Sequence, residues 1–118
     1  MSEAQQLSDF LNGKTEYTLG LFRFFVAQLS ELGVIKLRPT KSMIAIESQK
    51  SFAYITQLGK NFIHVVIPFN QPFEENLCFT KIAQIPGTNQ FNHHLRIYFE
   101  ADVNDEVKGF LKMAMEGI

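Results

Sequence analysis

Phe91-Asn92-His93-His94-Leu95-Arg96-Ile97-Tyr98-Phe99 alternates along its whole length. In an extended chain, Phe91, His93, Leu95, Ile97 and Phe99 share one face and Asn92, His94, Arg96 and Tyr98 the other. The first set carries the large apolar side chains and predicts a buried face. The second set predicts a face turned away from the core or toward a rim.

The segments around this strand extend the reading. Pro86-Gly87-Thr88-Asn89 is a strong turn signal. Before it, Leu77–Ile85 reads as a strand and Asn70–Asn76 as a polar loop. Further back, Val34–Arg38, Ser42–Ser48, Ser51–Leu58 and Asn61–Ile67 are rich in β-branched and aromatic residues. Ile44 and Ile46 share one face of the second. In the third, Phe52, Tyr54, Thr56 and Leu58 oppose Ala53, Ile55 and Gln57. Gln49-Lys50 suits a hairpin turn between these two.

Helical patterns bracket the strands. Glu16–Leu32 repeats Leu21, Phe25, Leu29 and Leu32 at helical spacing, with Phe22 and Val26 widening the stripe and Phe24 lying off it. Gly33 ends it. At the other end Val103, Val107, Phe110, Leu111 and Ala114 form a second stripe, with Asp102 or Asn104 as its cap and Asp105 and Glu106 at the positive end of its dipole. Ser8 to Gly13 reads as one short helical turn. The fold class expected is α+β: a two-layer arrangement with an antiparallel sheet of five or six strands, and the N- and C-terminal helices packed on one face. The other face then carries several apolar residues, which suits a ligand or a homodimer.

Composition narrows the function classes. The chain has 118 residues, 46% of them hydrophobic, which suits one domain over residues 1–118 with a core of its own. Twelve Phe and no Trp supply its aromatic volume. The net charge of -1 argues against nucleic acid. Residues 34–60 are locally basic, with Lys36, Arg38, Lys41, Lys50 and Lys60 against Glu47, and residues 100–118 are acidic. Cys78 is the one cysteine, so no intramolecular disulfide forms and a reducing compartment is expected. Met1–Asn12 does not read as a signal peptide, and no apolar run reaches the ~18 residues of a membrane span. A cytoplasmic location is the expectation.

Chemistry-bearing motifs are few. His93 and His94 are adjacent and point to opposite faces of a strand, His64 stands alone, and no metal site or cofactor is expected. No phosphate loop and no nucleophile elbow occurs. Cys78 reads as a small buried hydrophobe, and Glu74-Glu75 and Asp105-Glu106 have ordinary loop and helix roles. The best constellation is polar and basic. Arg38, Thr40, Lys41 and Ser42 border a tight connection after Pro39, and His94, Arg96 and Tyr98 line one side of a later strand. Brought together, they would supply cations, hydroxyls and an imidazole to a polar or anionic ligand.

Leu7–Lys14, Pro39–Ile46, Phe52–Ile55, His93–Ile97 and Asp102–Val107 also resemble, in the same order, a bacterial family known as domain-of-unknown-function family 5655. Chains similar to it occur alone or at the end of longer proteins labelled predicted transport proteins. The resemblance implies a compact α+β module. It implies no activity, substrate or catalytic residue. It directs attention to Thr40, Lys41, Ser42, His94 and Arg96. The leading expectation is a small intracellular binding module for a polar or anionic ligand. One alternative is an enzyme or accessory domain using His94 with Lys41 or Arg96. Another is a protein-interaction domain without a ligand site.

Overall fold

The computed structural model describes residues 2–117. Two helices come first, α1 (Glu3–Leu11) and α2 (Glu16–Leu32). Six strands follow: β1 (Lys36–Pro39), β2 (Ile44–Glu47), β3 (Ser51–Leu58), β4 (Ile63–Phe69), β5 (Lys81–Gln84) and β6 (Phe91–Ile97). A 3-10 turn at Glu100–Asp102 leads into α3 (Asp105–Glu116). The strands form one antiparallel sheet in the order β1-β2-β3-β4-β6-β5. The α+β class, the antiparallel sheet and the terminal helices are those read from the pattern.

The core lies on one face of this sheet. Leu21, Phe22, Phe25 and Leu29 of α2 meet Val107, Phe110, Leu111 and Ala114 of α3 over Ile44, Ile46, Ile55, Ile63, Val65, Leu95 and Ile97. The helical stripes fall at three- and four-residue spacing because that spacing returns a side chain to the same side of the helix. Val66 is buried too, but it points out of the opposite face, between Tyr54 and His94 in the cross-strand row.

Several local expectations change. The turn expected at Ser8–Gly13 is the end of a nine-residue helix, capped by Ser2 rather than Ser8, with the Ser2 hydroxyl accepting from the Gln5 N–H. Gly13 follows its C-cap with φ +77, the left-handed conformation that suits a residue without Cβ. Phe24 packs against the core, half-buried. Of the cap candidates for α3, Asn104 is used, and the helix starts at Asp105 rather than Val103. β1 starts two residues later than expected.

The strand expected at Leu77–Ile85 is only Lys81–Gln84. Residues 76–79 turn instead, so that Phe79 stacks near His93 and Phe110 while Leu77 stands 94% exposed. In β3 strict alternation fails. Register shifts at Ile46/Glu47 and at Ile55/Gln57 let Phe52, Ala53, Ile55 and Leu58 all be buried. Each bulge adds a residue to one strand and swaps the faces beyond it. Phe99 lies past the end of β6 and is 64% exposed, not core.

Candidate functional site

β4 and β6 pair over seven residues, from Ile63↔Ile97 to Phe69↔Phe91. This register puts Arg96 opposite His64 and His94 opposite Val66 on the outer face, away from the helices. A diagonal neighbour across two strands is within reach of a long or aromatic side chain. His64 uses both its neighbours. Its Nδ1 lies 3.1 Å from Arg96 Nε, and its Nε2 lies 2.9 Å from His94 Nδ1.

Arginine can only donate, so Arg96 fixes the tautomers of this chain. His64 Nδ1 accepts from the Arg96 Nε–H and must carry its proton on Nε2. That proton goes to His94 Nδ1, and His94 in turn carries its own on Nε2. The row ends in an N–H that none of these partners uses. Burial lowers the pKa of both histidines from the usual range. His94 and Arg96 lower His64 further, and Lys81 and His93 lower His94 further. Both imidazoles are therefore neutral near pH 7, and the charges beside them are Arg96 and Lys81. Lys81 of β5 is the register partner of His94.

The Arg96 guanidinium is held in position. Its carbon sits 4.2 Å from the centroid of the Phe62 ring, a cation–π contact. Phe62 leans on Tyr98, with ring centroids 5.6 Å apart. The first turn of α2 anchors this end of the sheet. Thr15 Oγ1 donates to the Lys60 carbonyl, Thr18 Oγ1 donates to the Phe62 carbonyl, and the Tyr17 hydroxyl donates to the Tyr98 carbonyl. Asp102 accepts from the backbone N–H groups of Tyr98 and Phe99. Phe62 also needs Gly59, because a Cβ there would collide with its ring.

Among the described residues, no carboxylate pairs with this row. The ion pairs among the described residues are Arg38 with Glu3 and Glu47, and Lys108 with Asp105. Arg96 thus keeps its NH₂ ends outside any ion pair among the described residues, although its Nε is bonded.

His94, Arg96 and Tyr98 are brought together on the outer face. Arg38, Thr40, Lys41 and Ser42 lie elsewhere. Arg38 shares the cross-strand row of His94, but three strands intervene. At ~4.8 Å per strand, that is about 19 Å, and the Thr40–Met43 connection lies about 14–19 Å away. Arg38 is also occupied: its Nε is 3.3 Å and its Nη2 3.4 Å from Glu47, and its Nη1 is 3.6 Å from Glu3. Thr40 closes the β1–β2 turn, its hydroxyl donating to the Met43 carbonyl and accepting from the Ser42 and Met43 N–H groups. Lys41 and Ser42 are exposed in that turn.

Two side chains of this row escaped the sequence reading. His64 is not alone, and Lys81 joins it. Inward alternation of Ile63, Val65 and Ile67 turns His64 outward, but the pairing of β4 with β6 skips over β5, and no local pattern signals that. Among the described residues, no group of three His, Cys, Asp or Glu side chains is placed to hold a metal ion. Neither of two shallow cavities, of about 430 and 530 Å³, is lined by His64, His94 or Arg96. The first adjoins the same face through Tyr54 and Pro68. The row itself sits on an open surface.

The molecule is thus an α+β domain with one face of its antiparallel sheet sealed by helices and the other bearing a pre-set arginine. The chain belongs to the family described as Domain of unknown function (DUF5655), whose profile matches residues 7–117. No curated protein and no solved structure is significantly similar to it. Among the described residues, no helix is long and apolar enough to cross a membrane.

Proposed function

We propose that this domain is a binding module that receives an anionic group on the outer face of its sheet, at Arg96, Lys81 and His94. The observation that carries the reading is Arg96. Its guanidinium is fixed by His64 and Phe62 and has no carboxylate partner among the described residues. A fixed fork of donors loses little freedom when a carboxylate or phosphate docks on it, and it can hold two oxygens at once. Arg38 makes the contrast. Two carboxylates neutralise it, so it offers no free fork of this kind.

This reading keeps His94, Arg96 and Tyr98 as ligand-facing residues and adds His64 and Lys81. An enzyme built on His94 with Lys41 has no support in distance. The test is a thermal-shift screen of small anions on wild type and Arg96→Ala at pH ~6 and ~8. Stabilisation of wild type that is lost in the variant is the expected result. Equal shifts in both proteins sink the reading.

A second reading has one observation of its own. Tyr17, Tyr98 and Phe99 are 47%, 37% and 64% exposed and gather at the Phe62 end of the face. Such a group of aromatics suits a protein partner, a second copy of this chain included. Loss of self-association or partner binding in Phe99→Ser, with anion shifts intact, favours that reading.

A further inference from the structure

The hydrogen-bond row Arg96–His64–His94 has only one arrangement while both imidazoles are neutral. Suppose His94 becomes charged. Its Nδ1 then carries a proton and needs an acceptor, which His64 Nε2 supplies at 2.9 Å. The His64 Nε2–H bond breaks as the His94 Nδ1–H bond forms, and a solvent proton adds to His64 Nδ1. That nitrogen now faces the Arg96 Nε–H, donor against donor. Arg96 can no longer bond there, and its Nε–H is released while the Phe62 ring still holds the guanidinium. One proton taken up thus releases one arginine.

We propose that the face binds the phosphate group of a phosphate monoester and takes up a proton as it does so, His94 becoming charged, His64 changing tautomer, and Arg96 passing from His64 to the ligand. This rests on the anion-binding reading and names its ligand and its control. A double charge suits the site because Arg96, Lys81 and a charged His94 surround it, with Lys81 beside His94 in register and Arg96 two residues along the same strand face. An ester suits it because the row lies on an open face rather than in a cavity. A free ion would be left half in water, whereas a larger ligand can also cover the half-buried Tyr54 and Pro68.

The groups that bear on the pair, from every neighbouring element, are few. Arg96 and His93 come from β6, Lys81 from β5, and Tyr54 from β3 across Val66, with Gln57 of β3 opposite His64. None of these is a carboxylate. Nothing there holds a proton on the histidines until an anion arrives, so proton and ligand must enter together.

The experiment is ¹⁵N NMR of the imidazoles, with phenyl phosphate and inorganic phosphate as probes at one fixed pH near ~7.5. The free protein should show His64 and His94 protonated on Nε2. With phenyl phosphate, His94 should carry both protons and His64 should carry its proton on Nδ1. Phenyl phosphate should bind at least about threefold more tightly than inorganic phosphate, and Arg96→Ala should weaken it about tenfold or more. His94→Gln should still bind, more weakly, with His64 keeping its Nε2 proton. Tautomers unchanged at saturation overturn the proton coupling and leave the anion module standing. An ester no tighter than the free ion overturns the ligand class. If neither probe shifts any resonance of this face at about 20 mM, the inference and the anion module fall together.

Discussion

His93 and His94 are neighbours in the chain, and β6 sends them to opposite worlds. His93 is fully buried. Its Nδ1 donates to the Phe91 carbonyl at 2.9 Å, and its Nε2 accepts from the Phe73 N–H at 3.1 Å. The rings of Phe69, Phe73 and Phe79 lie within 4.8–5.5 Å of it. Every polar atom of His93 is matched, so it works as a core residue that ties the Phe73 loop to the sheet. His94, one residue on, ends a row with a donor to spare. The same side chain is thus structural or chemical according to whether its last hydrogen bond is already made.

The contrast should break first at the wall of the inner cluster. Phe110 stacks on Phe69, Phe73 and Phe79. Phe110→Ala should cost ~3–5 kcal/mol, read by urea denaturation. A loss no greater than that of Arg96→Ala would deny that the inner face carries the stability.

The two histidines themselves come next. His93→Leu leaves the Phe73 N–H buried without an acceptor and should cost ~1–3 kcal/mol. His94→Gln, on the open side, should cost less than ~1 kcal/mol. Reversal of that order in parallel melts would overturn the division of labour.

The third prediction concerns pH. The pKa values of His64, His93 and His94 are all lowered, burial being the first cause for each. The unfolded chain therefore binds protons before the folded protein does. Stability is full above the ordinary histidine value of ~6.5 and declines as pH falls below it, toward the lowered folded values. Denaturation midpoints should drop between pH ~7.5 and ~5.5. In the His64→Gln/His94→Gln double variant the drop should shrink and leave the part owed to His93. A midpoint that rises on acidification contradicts the assigned direction.

The smallest effect lies at the edge of the inner cluster. The Cys78 pKa is raised to about 11 by burial and by Glu106 beside it. At neutral pH its thiolate fraction should be on the order of 100-fold below that of a free thiol. Iodoacetamide should label the native protein far more slowly than an unfolded control. Cys78→Ala should leave anion shifts unchanged, with a modest loss of stability.

Much of this was legible locally. The alternation of β6 separated His93 from His94, Arg96 and Tyr98 because a strand's period of two needs no knowledge of its neighbours. The stripes of α2 and α3 were readable for the same reason. What could not be read was strand order. Shared basic character groups Arg38 and Lys41 with His94, but β1 and β6 stand four strand spacings apart. His64 has no local partner signal because β4 pairs with β6, not with the next strand in the chain. The bulges in β3 and the turn that carries Phe79 inward were set by packing, which a short window of sequence does not contain.

Gly59 has no side chain and touches no ligand, yet the aim of Arg96 depends on it. The Phe62 ring occupies the space a methyl group would take there, and the guanidinium lies on that ring. A survey of substitutions scored on ligand capture would therefore mark Gly59 beside Arg96 as intolerant, while a survey scored on expression would rank it with ordinary turn residues. The gap between the two scores would measure how far specificity here is written into the main chain of a turn rather than into the residues that meet the ligand.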